Sequence, residues 1–141
     1  MDRQQFLFAY GTLRKDYRPY PVIGIEEKLK FIGVAGIKGI LFDLGCYPGA
    51  VENKNGGTIR GDLFLLKDPV KTLGTLDDYE GCSGEEDVDD EFIRREINVR
   101  LEDGNTAAAW IYWFNRQTDD KTVITQGDYL LYLQNKQSGS Y

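Results

Sequence analysis

Short apolar runs, several alternating with polar positions and punctuated by glycine-rich turns, set the rhythm of this chain. Phe6-Leu7-Phe8-Ala9-Tyr10 is apolar, aromatic and of strand length, and Gly11 ends it. The polar segment from Lys15 to Pro21 carries Pro19 and Pro21 and predicts a loop. A short helix is expected from Val22 to Leu29. Two strands follow, Phe31 to Ala35 and Ile37 to Leu44, joined at Gly36. Gly45-Cys46-Tyr47-Pro48-Gly49 and Asn53-Lys54-Asn55-Gly56-Gly57 have turn chemistry, and the second leads into a strand from Thr58 to Leu66.

Asp68-Pro69 predicts a helix start, with Asp68 as N-cap and Pro69 at the first helical position. Val70, Leu73 and Leu76 would form its buried stripe, and Gly81 its end. Asp77 and Asp78 fall in the last turn, where the helix dipole disfavours negative charge. Phe92 to Leu101 and Thr106 to Phe114 read as strands around an Asp103-Gly104 hairpin turn. On the second strand, alternation places Trp110, Tyr112 and Phe114 on one face and Trp113 on the other, a pattern expected of core packing. A last helix is expected from Gln126 to Leu133, with a frayed tail from Gln134 to Tyr141. Six or seven strands with two or three short helices predict an α+β fold, a small mixed barrel-like sheet in a single domain over residues 1–141.

Composition narrows the chemistry. The 141 residues are 41% hydrophobic and 28% charged, ordinary for a globular domain large enough to bury its own core. The net charge of -6 argues against nucleic-acid partners and against docking on anionic membranes. No apolar stretch is long enough to span a bilayer, and Met1-Asp2-Arg3-Gln4-Gln5 lacks the layout of a secretion signal, so a cytoplasmic protein is expected. The acidic run Gly84-Glu85-Glu86-Asp87-Val88-Asp89-Asp90-Glu91 lacks calcium-loop spacing and reads as a solvated loop.

The chain has no histidine. Ser-His-Asp and Cys-His catalysis and His-based zinc sites are therefore excluded, and any acid/base must be Glu, Asp, Lys, Tyr or Cys. Cys46 and Cys82 are expected as free thiols, with a disulfide between them as the alternative, and two cysteines are too few for a four-thiolate metal site. Cys82 has no histidine to activate it as a nucleophile.

Five segments stand out in order: Tyr10-Gly11-Thr12-Leu13, Gly45-Cys46-Tyr47-Pro48-Gly49, Leu76-Asp77-Asp78-Tyr79-Glu80-Gly81, Phe92-Ile93-Arg94-Arg95-Glu96-Ile97-Asn98-Val99 and Ile124-Thr125-Gln126-Gly127-Asp128-Tyr129. Together, over Phe6 to Leu133, they resemble the γ-glutamylcyclotransferase-like superfamily. That resemblance implies a mixed α+β domain around a small barrel and ring closure of γ-glutamyl amides to 5-oxoproline. It implies Glu80 as acid/base and substrate binding by Tyr10, Gly11, Thr12 and Leu13, with Arg94 expected at the substrate in a less defined role. Phe92 stands where the family often has tyrosine, so a hydroxyl there is missing. The reaction needs no metal or organic cofactor, and its only partner is a small γ-glutamyl substrate.

The residues suit such chemistry. A carboxyl next to Tyr79, at the end of an apolar-faced helix, is placed for the raised pKa that acid/base work at neutral pH favours. A strand ending in Gly11-Thr12-Leu13 turns and exposes main-chain N–H groups to a carboxylate or oxyanion, and glycine allows close approach to a ligand. Tyr10 has two readings, a core aromatic or a contributor of its hydroxyl. Tyr47 is either a turn residue or part of a pocket wall. Arg14 either holds an acidic substrate group or is solvated. The alternative function is a non-catalytic ligand-binding or interaction domain that keeps the fold.

Overall fold

The computed structural model describes residues 4–17, 26–82 and 90–138. Its strands are β1 (Phe6–Ala9), β2 (Leu29–Asp43), β3 (Pro48–Glu52), β4 (Gly57–Leu66), β5 (Phe92–Leu101), β6 (Thr106–Phe114) and β7 (Thr122–Val123), and its α-helices are α1 (Pro69–Glu80) and α2 (Tyr129–Ser138). The sheet runs β1-β4-β2-β3-β6-β5, with β1 pairing back onto β6, so five strands close a barrel. β1–β6 and β3–β6 are parallel contacts of one residue pair each, Leu7 with Trp110 and Ala50 with Trp113. β5 lies beyond β6 and also touches β2. The α+β barrel class expected from the sequence is the fold observed.

Alternation sorts the side chains into two apolar clusters. One contains Phe8, Tyr10, Leu41, Ala50, Ile59, Leu63, Ile111 and Trp113. The other contains Leu7, Ala9, Leu13, Phe64, Leu73, Leu76, Phe92 and Tyr112, with Trp110 and Phe114 packed against it. Phe8 and Leu7 thus face opposite ways, as successive strand residues must, and so do Trp113 and its neighbours Tyr112 and Phe114. The second cluster seats α1 against the sheet.

Several local expectations are corrected. Residues 31–44 do not form two strands: β2 is one strand of 15 residues, and Gly36 pairs with Arg60 on one side and Arg100 on the other. Of the expected helix at 22–29, the described part is a single 3-10 turn, Glu26–Lys28, and residues 22–25 lie outside the described set. Asp68 adopts a left-handed conformation and makes no side-chain cap. Its carbonyl accepts the Thr72 N–H at 2.9 Å instead, and the Thr72 hydroxyl donates to the Lys67 carbonyl at 2.7 Å. The buried face of α1 is Thr72, Leu73 and Leu76, and Val70 is 84% exposed. α2 starts later than expected, at Tyr129, with the Asp128 carboxylate accepting the Leu131 N–H, and the helix continues to Ser138 through residues expected to fray.

Candidate active site

Glu80 is the last residue of α1, and the local sequence fixes its position. Leu73 and Leu76 bury one face of the helix. Gly81 then takes a left-handed conformation (φ 66°) and its N–H returns to the Asp78 carbonyl, while the Cys82 N–H returns to Asp77. Glycine adopts that geometry without a Cβ penalty, so the helix stops there. One turn earlier, Asp77 meets the Arg94 guanidinium of β5 through two bonds, 2.8 and 3.1 Å, and accepts the Tyr112 hydroxyl of β6 at 2.7 Å. The unfavourable charge in the last helical turn is thus neutralised by a strand-borne arginine. The same contacts pin the end of α1 to the sheet.

Glu80 lines a cavity of about 230 Å³ with Tyr10, Gly11, Thr12, Leu13, Tyr47, Pro48, Tyr79, Glu91, Phe92 and Tyr112 among its walls. Stretches near residues 10, 47, 80 and 91 therefore converge on one space. The Thr12 hydroxyl and the Tyr79 hydroxyl are hydrogen-bonded at 2.9 Å, joining the 11–14 turn to the end of α1. That turn is closed by the Arg14 N–H donating to the Gly11 carbonyl at 3.0 Å. A Cβ on Gly11 would stand 2.7 Å from Pro48 Cγ, so packing against β3 already demands glycine there.

The electrostatics are uneven. Glu80 is half-buried, and removal from water, then the charge of Glu91, push its carboxyl up to about 8. The Tyr47 hydroxyl donates to Glu91 Oε2, and this bond, followed by burial, pushes Tyr47 up to about 12. Among the described residues, no lysine or arginine lines this cavity. Among the described residues no group of three or more His, Cys, Asp or Glu could hold a metal ion.

Some expected roles change. The Tyr10 hydroxyl is engaged by main chain: it donates to the Tyr112 carbonyl at 2.6 Å and accepts the Ala50 N–H at 3.2 Å. Its ring walls the cavity while its hydroxyl braces the barrel, and burial and the Glu80 charge drive its pKa far above the ordinary phenol. Arg94, expected at the substrate, is held by Asp77, lies over the Trp110 ring and does not line the cavity. Arg14 is neither solvated nor at the cavity. It is buried between Asp128 at 2.9 Å and Asp62 at 3.4 Å. Cys46 and Cys82 are free thiols.

Two polar lining residues, Glu91 and Tyr112, escaped the sequence reading. Glu91 closes an acidic run that reads as solvent-facing, and residues 84–89 of that run lie outside the described residues. Tyr112 sits in an aromatic strand that reads as core. The usable signal was that Glu91 immediately precedes β5, where a side chain is held by the sheet edge.

Residues 7–131 match the family model described as gamma-glutamyl cyclotransferase, AIG2-like, and the chain belongs to that family. It is 27% identical to the gamma-glutamylcyclotransferase family protein YtfP of Escherichia coli K12, over 88% of this chain and 95% of that protein. The crystal structure of Bacillus subtilis YkqA superposes with a TM-score of 0.72 at 25% identity, over 98% of this chain and 44% of that one, so this chain spans less than half of YkqA. An AIG2-like protein of Mus musculus superposes at 0.65 with 17% identity, over 84% of this chain and 82% of that one, a likeness of fold. No helix among the described residues is long and apolar enough to cross a membrane.

Proposed function

We propose that this protein cleaves a γ-glutamyl amide by attack of the substrate's own α-amine on its γ-carbonyl, releasing 5-oxoproline and a free amine. The observation that carries this reading is that Glu80 and the 10–13 segment, remote in sequence, line one cavity. In this reading main-chain N–H groups of Gly11 to Leu13 and the Thr12 hydroxyl take the α-carboxylate, and the rings of Tyr10 and Tyr47 wall the glutamyl chain. Holding the bent conformer supplies part of the ~7–11 kcal/mol available to well-oriented intramolecular reactions.

Ionised Glu80 accepts a proton from the α-ammonium, and the freed nitrogen attacks the γ-carbon. The carbonyl becomes a tetrahedral oxyanion. The attacking nitrogen loses a second proton as the lactam forms, and the C–N bond to the departing amine breaks. Two of the three ammonium protons thus end on the leaving nitrogen, carried in turn by Glu80, which finishes as it began. A carboxyl titrating near 8 accepts and returns protons with little bias at neutral pH.

The test is incubation with γ-glutamyl amines, γ-glutamyl dipeptides and glutathione, reading 5-oxoproline by mass spectrometry. Product is expected from at least one class, and Glu80→Gln is expected to lower turnover at least a hundredfold, within the usual range for losing a general acid/base. Product from none would favour a binding domain. Substantial turnover by Glu80→Gln would remove Glu80 from the chemistry.

A further inference from the structure

The loop that borders Glu80 leaves the barrel and returns to it beside one residue, Asp62 of β4. Where the loop leaves, Ala9 at the end of β1 is the ladder partner of Asp62. Where it returns, Asp62 Oδ2 accepts the Lys15 N–H at 2.9 Å, and Oδ1 accepts an Arg14 Nη at 3.4 Å. Between these ends lie Tyr10 to Leu13, the stretch that lines the cavity. A single buried aspartate therefore fixes both ends of the loop.

Arg14 carries the tie further. It is buried, and its other Nη donates to Asp128 Oδ1 at 2.9 Å, the oxygen that also accepts the Leu131 N–H at the start of α2. Asp128 Oδ2 in turn lies 3.7 Å from Nε of the exposed Arg60. Charges thus alternate from Asp62 through Arg14 and Asp128 to Arg60, joining β4, the loop and α2. Taking ions out of water is costly, and well-packed apolar residues often serve stability as well as a buried ion pair does. What apolar packing does not supply is direction. A planar guanidinium between two carboxylates admits few arrangements, and a carboxylate that holds a main-chain N–H sets the peptide plane of the loop. Main-chain donors act on a substrate's charge to the extent that they are aimed before it arrives.

Resting on the cyclotransferase reading, we propose that Asp62 and Arg14 are positioning residues that hold the 10–13 segment in the arrangement that receives the substrate's α-carboxylate. Neither side chain lines the cavity, so both act through the loop.

Matched probes isolate the carboxylate. One is the γ-glutamyl amide of butylamine. The other is the 4-aminobutanoyl amide of butylamine, which lacks only the α-carboxylate and closes to 2-pyrrolidinone in place of 5-oxoproline. The wild type is expected to favour the γ-glutamyl probe by about a hundredfold or more in kcat/KM, as for two or more hydrogen bonds to a charged group. In Asp62→Asn that preference is expected to fall about tenfold, chiefly through a higher KM for the γ-glutamyl probe. Asp128→Asn is the second variant. Asparagine caps a helix as well as aspartate does, so this change takes charge from Arg14 and leaves the start of α2, and the preference should fall about threefold. The preference is a ratio within one preparation, so a smaller folded fraction lowers both probes together and leaves it unchanged. A wild type that treats the two probes alike overturns the proposal, and so does Asp62→Asn with the wild-type preference. Asp128→Asn with that preference removes Arg14 from the role, and overturns the whole proposal where Asp62→Asn does not fold.

Calorimetric binding of the two products, 5-oxoproline and 2-pyrrolidinone, does not require the reaction and separates this proposal from the reading beneath it. A carboxylate preference that the wild type shows and Asp62→Asn loses, without turnover of any γ-glutamyl amide, would keep the positioning role and discard the cyclotransferase reading. Formation of 5-oxoproline with no carboxylate preference in either assay would keep that reading and discard the positioning role.

Discussion

At the residue scale, the carboxyl of Glu80 is the most informative group. In the folded chain it titrates near 8, against 4.5 for an ordinary glutamate, because burial and the Glu91 charge both oppose ionisation. Between those two values the folded state holds a proton that the unfolded state has released. Stability from this group is therefore complete below about pH 4.5, declines as pH rises, and is fully lost above pH 8. A glutamine in its place never ionises. Glu80→Gln should melt above the wild type at pH 8, by up to a few kcal/mol at ~1.4 kcal/mol per tenfold change in acidity, and the gap should close towards pH 4.5. Thermal melts at both pH values check this. The same carboxyl must ionise before it can take the ammonium proton, so kcat/KM should climb with pH to an inflection near 8. Glu91→Gln removes one of the two opposing causes and should move that inflection to lower pH. The upward shift of Glu80 was readable from its place beside Tyr79 at the end of an apolar-faced helix, but the part played by Glu91 was not, because Glu91 looked like one more charge in a solvated run.

At the element scale, legibility follows the range of the interactions. The β5–β6 hairpin lies where its alternation and Asp103-Gly104 turn place it, because both signals are local. The span of α1 was equally legible, since Pro69 starts it and Gly81 stops it through their own backbone geometry. Its buried face was not. Val70 lies beyond the seat of the helix on the sheet, and Thr72 takes the inward position because its hydroxyl is satisfied by the Lys67 carbonyl. β3 and β7 were invisible because they are short and exist through pairing with β2, β3 across the 44–47 turn and β7 from far along the chain. Pro48 disguised β3 as a turn, although proline is tolerated at the first residue of a strand. The final turn of α1 also depends on a distant partner, the Arg94 guanidinium. Asp77→Asn should leave that guanidinium partly buried with a neutral neighbour and destabilise the fold by about 2–3 kcal/mol in urea unfolding, with Glu80 turnover falling as the helix end loosens.

At the scale of the whole molecule, a barrel must be closed before its strands can wall a site, and the closure here is narrow. β1 and β3 each meet β6 through one residue pair, where β1 and β4 share four and β2 and β4 share ten. The Tyr10 hydroxyl spans this seam. It reaches from the end of β1 to the Tyr112 carbonyl on β6 and the Ala50 N–H on β3, so one phenol replaces ladder bonds that three strands cannot make with each other. Tyr10 also walls the cavity, and the residues after it form the turn facing Glu80. Tyr10→Phe keeps the ring and deletes both bonds, leaving a buried carbonyl and a buried N–H short of a partner. The expected loss is about 2–3 kcal/mol, one buried group after another at ~1–1.5 each. If the hydroxyl acts only as a brace, kcat/KM measured well below the melting transition should fall less than about tenfold, a loss of ~1.4 kcal/mol. A loss approaching that of Glu80→Gln, with stability untouched, would mean that the phenol serves the reaction directly and the seam is held by packing alone.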